Sequence, residues 1–299
     1  MKIAVMGSGG IGGCFGGLLA RAGFDVTLIA RGPHLKAIQQ NGLRVIQPED
    51  DFTVKVSATD DPTQVGPVDL ILFAVKTYQN SAAIPLMKPL VGKDSMVLTL
   101  QNGVESAEEI GQEHGIERVL LGAAYVICNI DTPGVLKQQS PIPRLGFGES
   151  NGDLSQRALA VQKALSKADI QAELSDNVTK VIWSKLLYNT PANALASTAR
   201  LAPRDLFEYS GVSALFQAGF QEVANVATAY GVPLGDADVQ GAMDLIANRP
   251  MGARGSMQVD VEAGRPLELE AIVGSVGRIG RRVNVPTPIH DFLYMLLLP

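Results

Sequence analysis

The run Gly7-Ser8-Gly9-Gly10-Ile11-Gly12 follows directly on Ile3-Ala4-Val5-Met6, an apolar stretch that reads as a buried strand. Glycine is costly in a helix or strand, so this density needs a reason. The spacing G-x-G-x-x-G between a strand and a helix supplies one. Gly7 allows a tight turn, Gly9 lets the backbone approach a pyrophosphate, and Gly12 lets the helix pack close to the strand. The free N–H groups and dipole of the helix N-terminus then face the phosphates. Gly13, Gly16 and Gly17 extend the bias and read as close helix–sheet packing.

The spacing predicts a helix to about Ala22, stopped by Gly23, and a second strand over Val26-Thr27-Leu28-Ile29. Leu70 to Val75 is continuously apolar, as in a strand covered on both faces, and Met96 to Leu100 and Val119 to Gly122 read as two more. Strands alternating with helices imply a parallel sheet. The first part of the chain is thus expected to be an α/β, Rossmann-type doubly wound domain. From about Asp153 helix-period stretches dominate: 156–168, 178–198, 213–230, 236–247 and 256–283 with a break. The expected division is a dinucleotide-binding domain over 1–170 and an all-helical substrate domain over 171–299.

The residues after the second strand bear on the cofactor. Proteins that bind NAD usually place a carboxylate there for the ribose 2′-hydroxyl; this chain has Ala30-Arg31-Gly32. The forked donors and fixed charge of Arg31 suit a 2′-phosphate, so NADPH is favoured. Lys76-Thr77-Tyr78-Gln79 and Gln101-Asn102-Gly103 follow two further strands, where a parallel sheet opens its ligand crevice.

In the helical part, Lys185, Asn189 and Asn193 recur at i, i+4 and i+8 and share one helix face. A cation and two amides on a largely apolar helix need polar partners, although Pro191 threatens to bend Asn193 off the line. From spacing alone a solvated lysine with two capping amides remains the alternative. In the segment 256–270, Ser256 is a possible helix cap, and Glu268 is expected in the first turn of the last long helix.

Bulk properties exclude several classes. The chain has 299 residues, 46% of them hydrophobic and 18% charged, which is ample for a packed core and unlike a disordered chain. With a net charge of −5 and no basic run, nucleic acid is not an expected partner. Cys14 and Cys128 have no partner at metal-ligand spacing, so no metal is expected. No secretory segment or membrane-length apolar run is evident, and a cytoplasmic location follows as the default. The final Tyr294-Met295-Leu296-Leu297-Leu298-Pro299 is apolar and expected to be buried; it permits a homodimer without requiring one.

Taken together, the motif Gly7–Gly12, Arg31, Lys76 with Gln79, Gln101-Asn102-Gly103, Lys185-Leu186-Leu187-Tyr188-Asn189, the segment from Ser256 to Glu270 and Val285-Pro286-Thr287-Pro288 resemble the ketopantoate reductase family, in order and in spacing. The resemblance covers nearly the whole chain. It implies an N-terminal Rossmann domain, a helical C-terminal domain, and NADPH-dependent reduction of 2-dehydropantoate to pantoate. It further implies that Lys185 is the general acid and that Glu268 positions it or the substrate. Asn189, Asn193 and Ser256 would bind substrate, with Asn102 near the nicotinamide on the substrate side. Gly7, Ser8, Gly9, Gly10, Ile11, Gly12, Arg31, Lys76, Gln79 and Asn102 would hold the cofactor. The chain departs from the family pattern at Ala194-Leu195, Gln138-Gln139-Ser140 and Pro203-Arg204. Alternatives therefore stay open: another small 2-keto acid, an opine-type dehydrogenation, or a non-catalytic NADP(H)-binding protein.

Overall fold

The computed structural model describes residues 1–140 and 142–298. The chain divides into two compact units. Met1–Gln101 and Ser106–Val181 form the first; Asn102–Glu105 and the chain from Ile182 onward form the second.

The first unit holds β1 (Lys2–Met6), α1 (Gly10–Arg21), β2 (Asp25–Ile29), α2 (Gly32–Asn41), β3 (Leu43–Ile46), β4 (Asp51–Val54), β5 (Ser57–Thr59) and β6 (Val68–Phe73). It continues with α3 (Asn80–Leu86), β7 (Val91–Thr99), α4 (Ser106–His114), β8 (Val119–Tyr125), β9 (Cys128–Thr132), β10 (Val135–Gln138), β11 (Arg144–Glu149), α5 (Gln156–Lys167) and β12 (Gln171–Leu174). Eight strands make one sheet in the order β12-β11-β8-β7-β6-β1-β2-β5. Its pairings are parallel except β8 with β11, which is antiparallel. The apolar runs legible in the sequence are its central strands, with Ile3, Val5, Leu28, Leu70, Leu72 and Leu98 fully buried.

A second, four-stranded sheet, β4-β3-β10-β9, has no counterpart among the sequence expectations. It packs on α1, which explains the helix's composition. A Cβ at Gly12 would lie 2.0 Å from the Gly7 carbonyl and 3.0 Å from Val5, and one at Gly16 would lie 2.7 Å from Leu28, all on the large-sheet side. A Cβ at Gly10 would lie 1.9 Å from the Cys128 carbonyl, and one at Gly13 would lie 2.7 Å from Leu136, on the small-sheet side. The glycines of α1 therefore serve two sheets at once.

The expected boundary at 170/171 is corrected. β12 pairs with β11 in parallel, which keeps the chain in the first unit through Val181. The sequence Gln171-Ala172-Glu173-Leu174 is too short and mixed to announce a strand. The unit boundary falls inside α6 (Val178–Ala199).

The second unit continues with α7 (Pro203–Phe207), α8 (Val212–Ala229), α9 (Asp236–Ala247), α10 (Ser256–Glu262), a π-turn (Glu270–Gly274), α11 (Ser275–Arg282) and α12 (Pro288–Leu297). Trp183 packs on Tyr230 with ring centroids 5.4 Å apart, and Phe216 lies between Phe207 and Phe220. Pro191 does not break α6. Gly219 of α8 approaches it so closely that a Cβ there would sit 3.0 Å from the proline ring.

Glu222 of α8 caps α12. Its carboxylate accepts from the backbone N–H of Ile289 at 2.8 Å and of His290 at 3.1 Å, and pairs with His290 Nδ1 at 2.6 Å. The expectation of a buried apolar end is overturned. Phe292, Met295 and Leu296 are exposed on α12, and Leu298 just beyond it, because the helix turns only His290 and Leu293 fully inward; Pro299 lies outside the described residues. No helix among the described residues is long and apolar enough to cross a membrane.

Replacing Glu222 by Gln removes the charge from three hydrogen bonds at a buried helix end. It should lower unfolding free energy by about 1–3 kcal/mol, read from urea denaturation; an unchanged midpoint would refute the cap's importance.

Candidate active site

In the first unit, four adjacent parallel strands deliver their C-terminal ends to one edge of the large sheet. Gly7 to Gly12 follow β1, Ala30 and Arg31 follow β2, Ala74 to Gln79 follow β6, and Gln101 follows β7. That edge is where open parallel sheets bind ligands. Gly7 turns the chain at φ +93°, and a Cβ there would strike the Val75 backbone. Gly9, by contrast, faces open space: a Cβ would meet nothing within 4 Å. It is the N-cap of α1, without side-chain cap or acidic residue in the first turn. The helix thus leaves its N-terminal donors and dipole for an anion.

Neighbouring groups hold this loop. Ser8 is buried, and its hydroxyl donates to the Ile29 carbonyl at 3.2 Å. His34, which the sequence did not single out, lies between the Ser8 carbonyl at Nε2 (3.0 Å) and the Gly134 N–H at Nδ1 (3.0 Å). Because Gly134 donates to Nδ1, the ring is the neutral tautomer with hydrogen on Nε2. Burial lowers the His34 pKa, opposed by the bond to Ser8. Gln101 is buried and ties β6 to β7, donating through Nε2 to the Val75 carbonyl and to Asn80 Oδ1, both at 2.7 Å.

Arg31 is exposed at the N-cap of α2; its carbonyl accepts from the Leu35 N–H at 3.3 Å, but its guanidinium makes no hydrogen bond or ion pair among the described residues. Lys76 is half-buried at the N-cap of a single 3₁₀ turn, and Gln79, which ends that turn, is exposed. An open glycine cradle on a helix N-terminus, with an uncommitted guanidinium one strand away, fits a phosphorylated dinucleotide.

In the second unit, α6 carries Lys185, Asn189 and Asn193. Glu268 is 7% exposed, and Asn102 donates to its Oε2 at 3.4 Å. Glu268 precedes the helical turns instead of lying within them; its carbonyl accepts from Ile272 at 3.1 Å. The π-turn that follows widens the helix. Thr190 of α6 donates to the Ile272 carbonyl (3.3 Å), and Ser275 to the Ala271 carbonyl (2.8 Å). Such turns often mark functional positions.

Lys185 is the electrostatic centre of this group. Burial pushes its ammonium down from the ordinary lysine value to about 8, and the negative charge of Glu268 opposes that shift. A lysine so placed holds a proton at neutral pH and releases it readily.

The other expected residues are placed differently. Asn193 is buried and turns its Nδ2 back to the Asn189 carbonyl at 2.8 Å. Its Oδ1 lies against Gly255, where a Cβ would come within 1.9 Å. Ser256 is the exposed first residue of α10, after Gly255 at the N-cap, so it does not cap that helix. Asn189 is half-buried. Lys185, Glu268 and Asn102 are thus drawn together, Asn193 is anchored to its own helix, and Ser256 follows the glycine that touches Asn193.

Known proteins match along the whole length. Residues 3–152 match the family model of ketopantoate reductase PanE/ApbA, and residues 177–298 match that of its C-terminal part. The 2-dehydropantoate 2-reductase of Mesorhizobium japonicum is 31% identical over 99% of this chain and 97% of that protein. The crystal structure of a PanE/ApbA family ketopantoate reductase from Ralstonia eutropha superposes with a TM-score of 0.91 at 34% identity, covering 99% of this chain and 97% of that one. The 2-dehydropantoate 2-reductase of Geobacter metallireducens superposes with a TM-score of 0.94 at 30% identity, covering 100% of this chain and 99% of the other.

Because Glu268 raises the Lys185 pKa and burial lowers it, the lysine should half-titrate near pH 8. Glu268→Gln should move the midpoint to lower pH. NMR of the Lys185 ε-carbon against pH reads both; a midpoint at the ordinary lysine value in the wild type would overturn this account.

Proposed function

The chain belongs to the ketopantoate reductase family, and from that premise we propose that it reduces 2-dehydropantoate to pantoate with NADPH, a step toward pantothenate and coenzyme A. The observation that carries the reading is Lys185, desolvated beside Glu268 and poised to titrate just above neutrality.

The cofactor's phosphates suit the Gly7–Gly12 loop, including Ser8, Gly10 and Ile11, and the α1 N-terminus; the 2′-phosphate suits Arg31. Lys76, Gln79 and Asn102 complete the set. Bound there, NADPH supplies the hydride that turns the keto carbon into a carbinol. The remaining work falls to the chain's own groups. Reduction builds negative charge on the keto oxygen, and Lys185 Nζ stabilises that charge and donates the proton that completes the alcohol. Glu268 keeps the ammonium protonated against the pull of desolvation, and Asn102 aligns Glu268 by its hydrogen bond. Asn189 and Ser256 offer polar contacts to the hydroxyl and carboxylate ends of the substrate. Asn193 has committed one donor to its own helix, and so contributes through its remaining amide polarity and by seating Gly255.

The reading extends to place and assembly. Both cysteines are free and buried, which suits a reducing cytoplasm. The exposed apolar residues of α12 support a homodimer. Light scattering should then give a mass near twice the 31.6 kDa of the chain, and Met295→Lys should lower it; a monomer at micromolar concentration would refute the dimer.

Loss of NADPH absorbance with ketopantoate tests the activity itself. Lys185→Ala should lower kcat by roughly 10²–10⁴-fold. Arg31→Ala should raise KM for NADPH about tenfold and leave that for NADH unchanged. Wild-type protein that binds NADPH but turns over no ketopantoate would overturn the substrate assignment.

A further inference from the structure

Arg249, the second residue beyond the C-terminus of α9, has no part in the chemistry described so far. It is half-buried, and each of its guanidinium nitrogens makes a hydrogen bond. Nε donates to the Ala253 carbonyl at 2.9 Å, one Nη to the Arg254 carbonyl at 2.8 Å, and the other Nη to the Tyr188 hydroxyl at 2.8 Å. Two of these bonds close the loop joining α9 to α10; the third fastens that loop to α6.

Tyr188 stands three residues after Lys185 and one before Asn189 on α6. The loop is held to the same helix a second time, where Gly255 lies against Asn193 Oδ1 with no room for a side chain. Asp205 of α7 holds the loop from another side, accepting from the Gly252 N–H at 3.0 Å. Ser256 begins directly after this doubly fastened segment.

All three acceptors on Arg249 are neutral oxygens. Several other arginines of this unit are paired with carboxylates: Arg254 with Glu262, Arg265 with Asp260, Arg278 with Glu105 and Glu270. Arg249 has no carboxylate partner among the described residues, so its charge is left unneutralised beside the loop that presents Ser256. An arginine can brace carbonyls through its fork while keeping its full charge; lysine and glutamine can each do only part of this.

We propose that Arg249 is a positioning and specificity residue for the keto acid's carboxylate: its fork fixes the 250–255 loop on α6 so that Ser256 is presented, and its uncompensated charge favours an anionic substrate end. The proposal rests on the 2-keto acid reductase reading of the site. It assigns Arg249 no contact with the reacting carbonyl, so its loss is expected in KM for the keto acid more than in kcat.

The test is steady-state kinetics of Arg249→Gln and Arg249→Lys with ketopantoate and NADPH, beside amide hydrogen exchange of the 250–256 segment in each full-length variant. Arg249→Gln should raise KM for ketopantoate about tenfold or more, leave KM for NADPH within about twofold, and speed exchange in the loop. Arg249→Lys, with the charge but not the fork, should recover part of the KM while the loop still exchanges fast. Unchanged ketopantoate KM in both variants, or a common fall in kcat and both KM effects with a lowered melting temperature, would overturn the proposal. A wild-type enzyme inactive on ketopantoate would sink the functional reading instead; loop exchange would then decide the bracing role on its own, and unchanged exchange in both variants would reject it.

Discussion

The closeness of α1 to two sheets is the constraint on which the first unit depends. A helix between two layers ordinarily stands off by the length of its side chains. Here the backbone itself touches Val5 and Leu28 on one side and the Cys128 carbonyl on the other. Glycine in a helix costs about 1 kcal/mol each relative to alanine, and α1 carries Gly10, Gly12, Gly13, Gly16 and Gly17. The burial of Phe15, Leu18, Leu19 and Cys14, all 4% exposed or less, offsets that cost. The same closeness brings the helix N-terminus up to the strand ends, so the geometry of the glycine loop and core packing are one arrangement.

The second unit is built around a different balance. A lysine is desolvated far enough to weaken its hold on a proton, and a buried carboxylate restores part of that hold. Either group alone would be costly to bury. The π-turn after Glu268 belongs to the same balance. It leaves carbonyls that Thr190 and Ser275 satisfy, and Thr190 belongs to the helix that bears Lys185. The position of Glu268 and the course of α6 are therefore coupled: the Thr190 hydroxyl donates to the Ile272 carbonyl, and the Ile272 N–H donates to the Glu268 carbonyl.

Legibility in the sequence followed the range of the interactions. β1, β2, β6, β7 and β8 could be read because each contains a short, mostly apolar run whose residues are largely buried. The small sheet could not: β3 pairs with β10 some ninety residues later, and its strands are short and interrupted by charge. The two sides of α1 were likewise invisible, because Gly10 and Gly13 answer to Cys128 and Leu136, far along the chain. Lys185 and Glu268 were legible through family resemblance; spacing alone offered only a helix face. Glu222 with His290, and His34 beneath Ser8, joined residues too distant for any local pattern. Arg249 carried no local signal, because its partners lie in the following loop and on Tyr188 of α6, 61 residues earlier.

The small sheet also sets the order in which the chain can fold. The glycine-rich loop and α1 precede their outer cover, β9 and β10, by more than a hundred residues. Until that segment emerges, a helix weakened by five glycines has one wall and not two. Pairings of such long sequence separation close late and slowly. The loop before α1 is therefore among the last parts of its unit to become rigid, and the glycine cradle matures only after β10 has been synthesised.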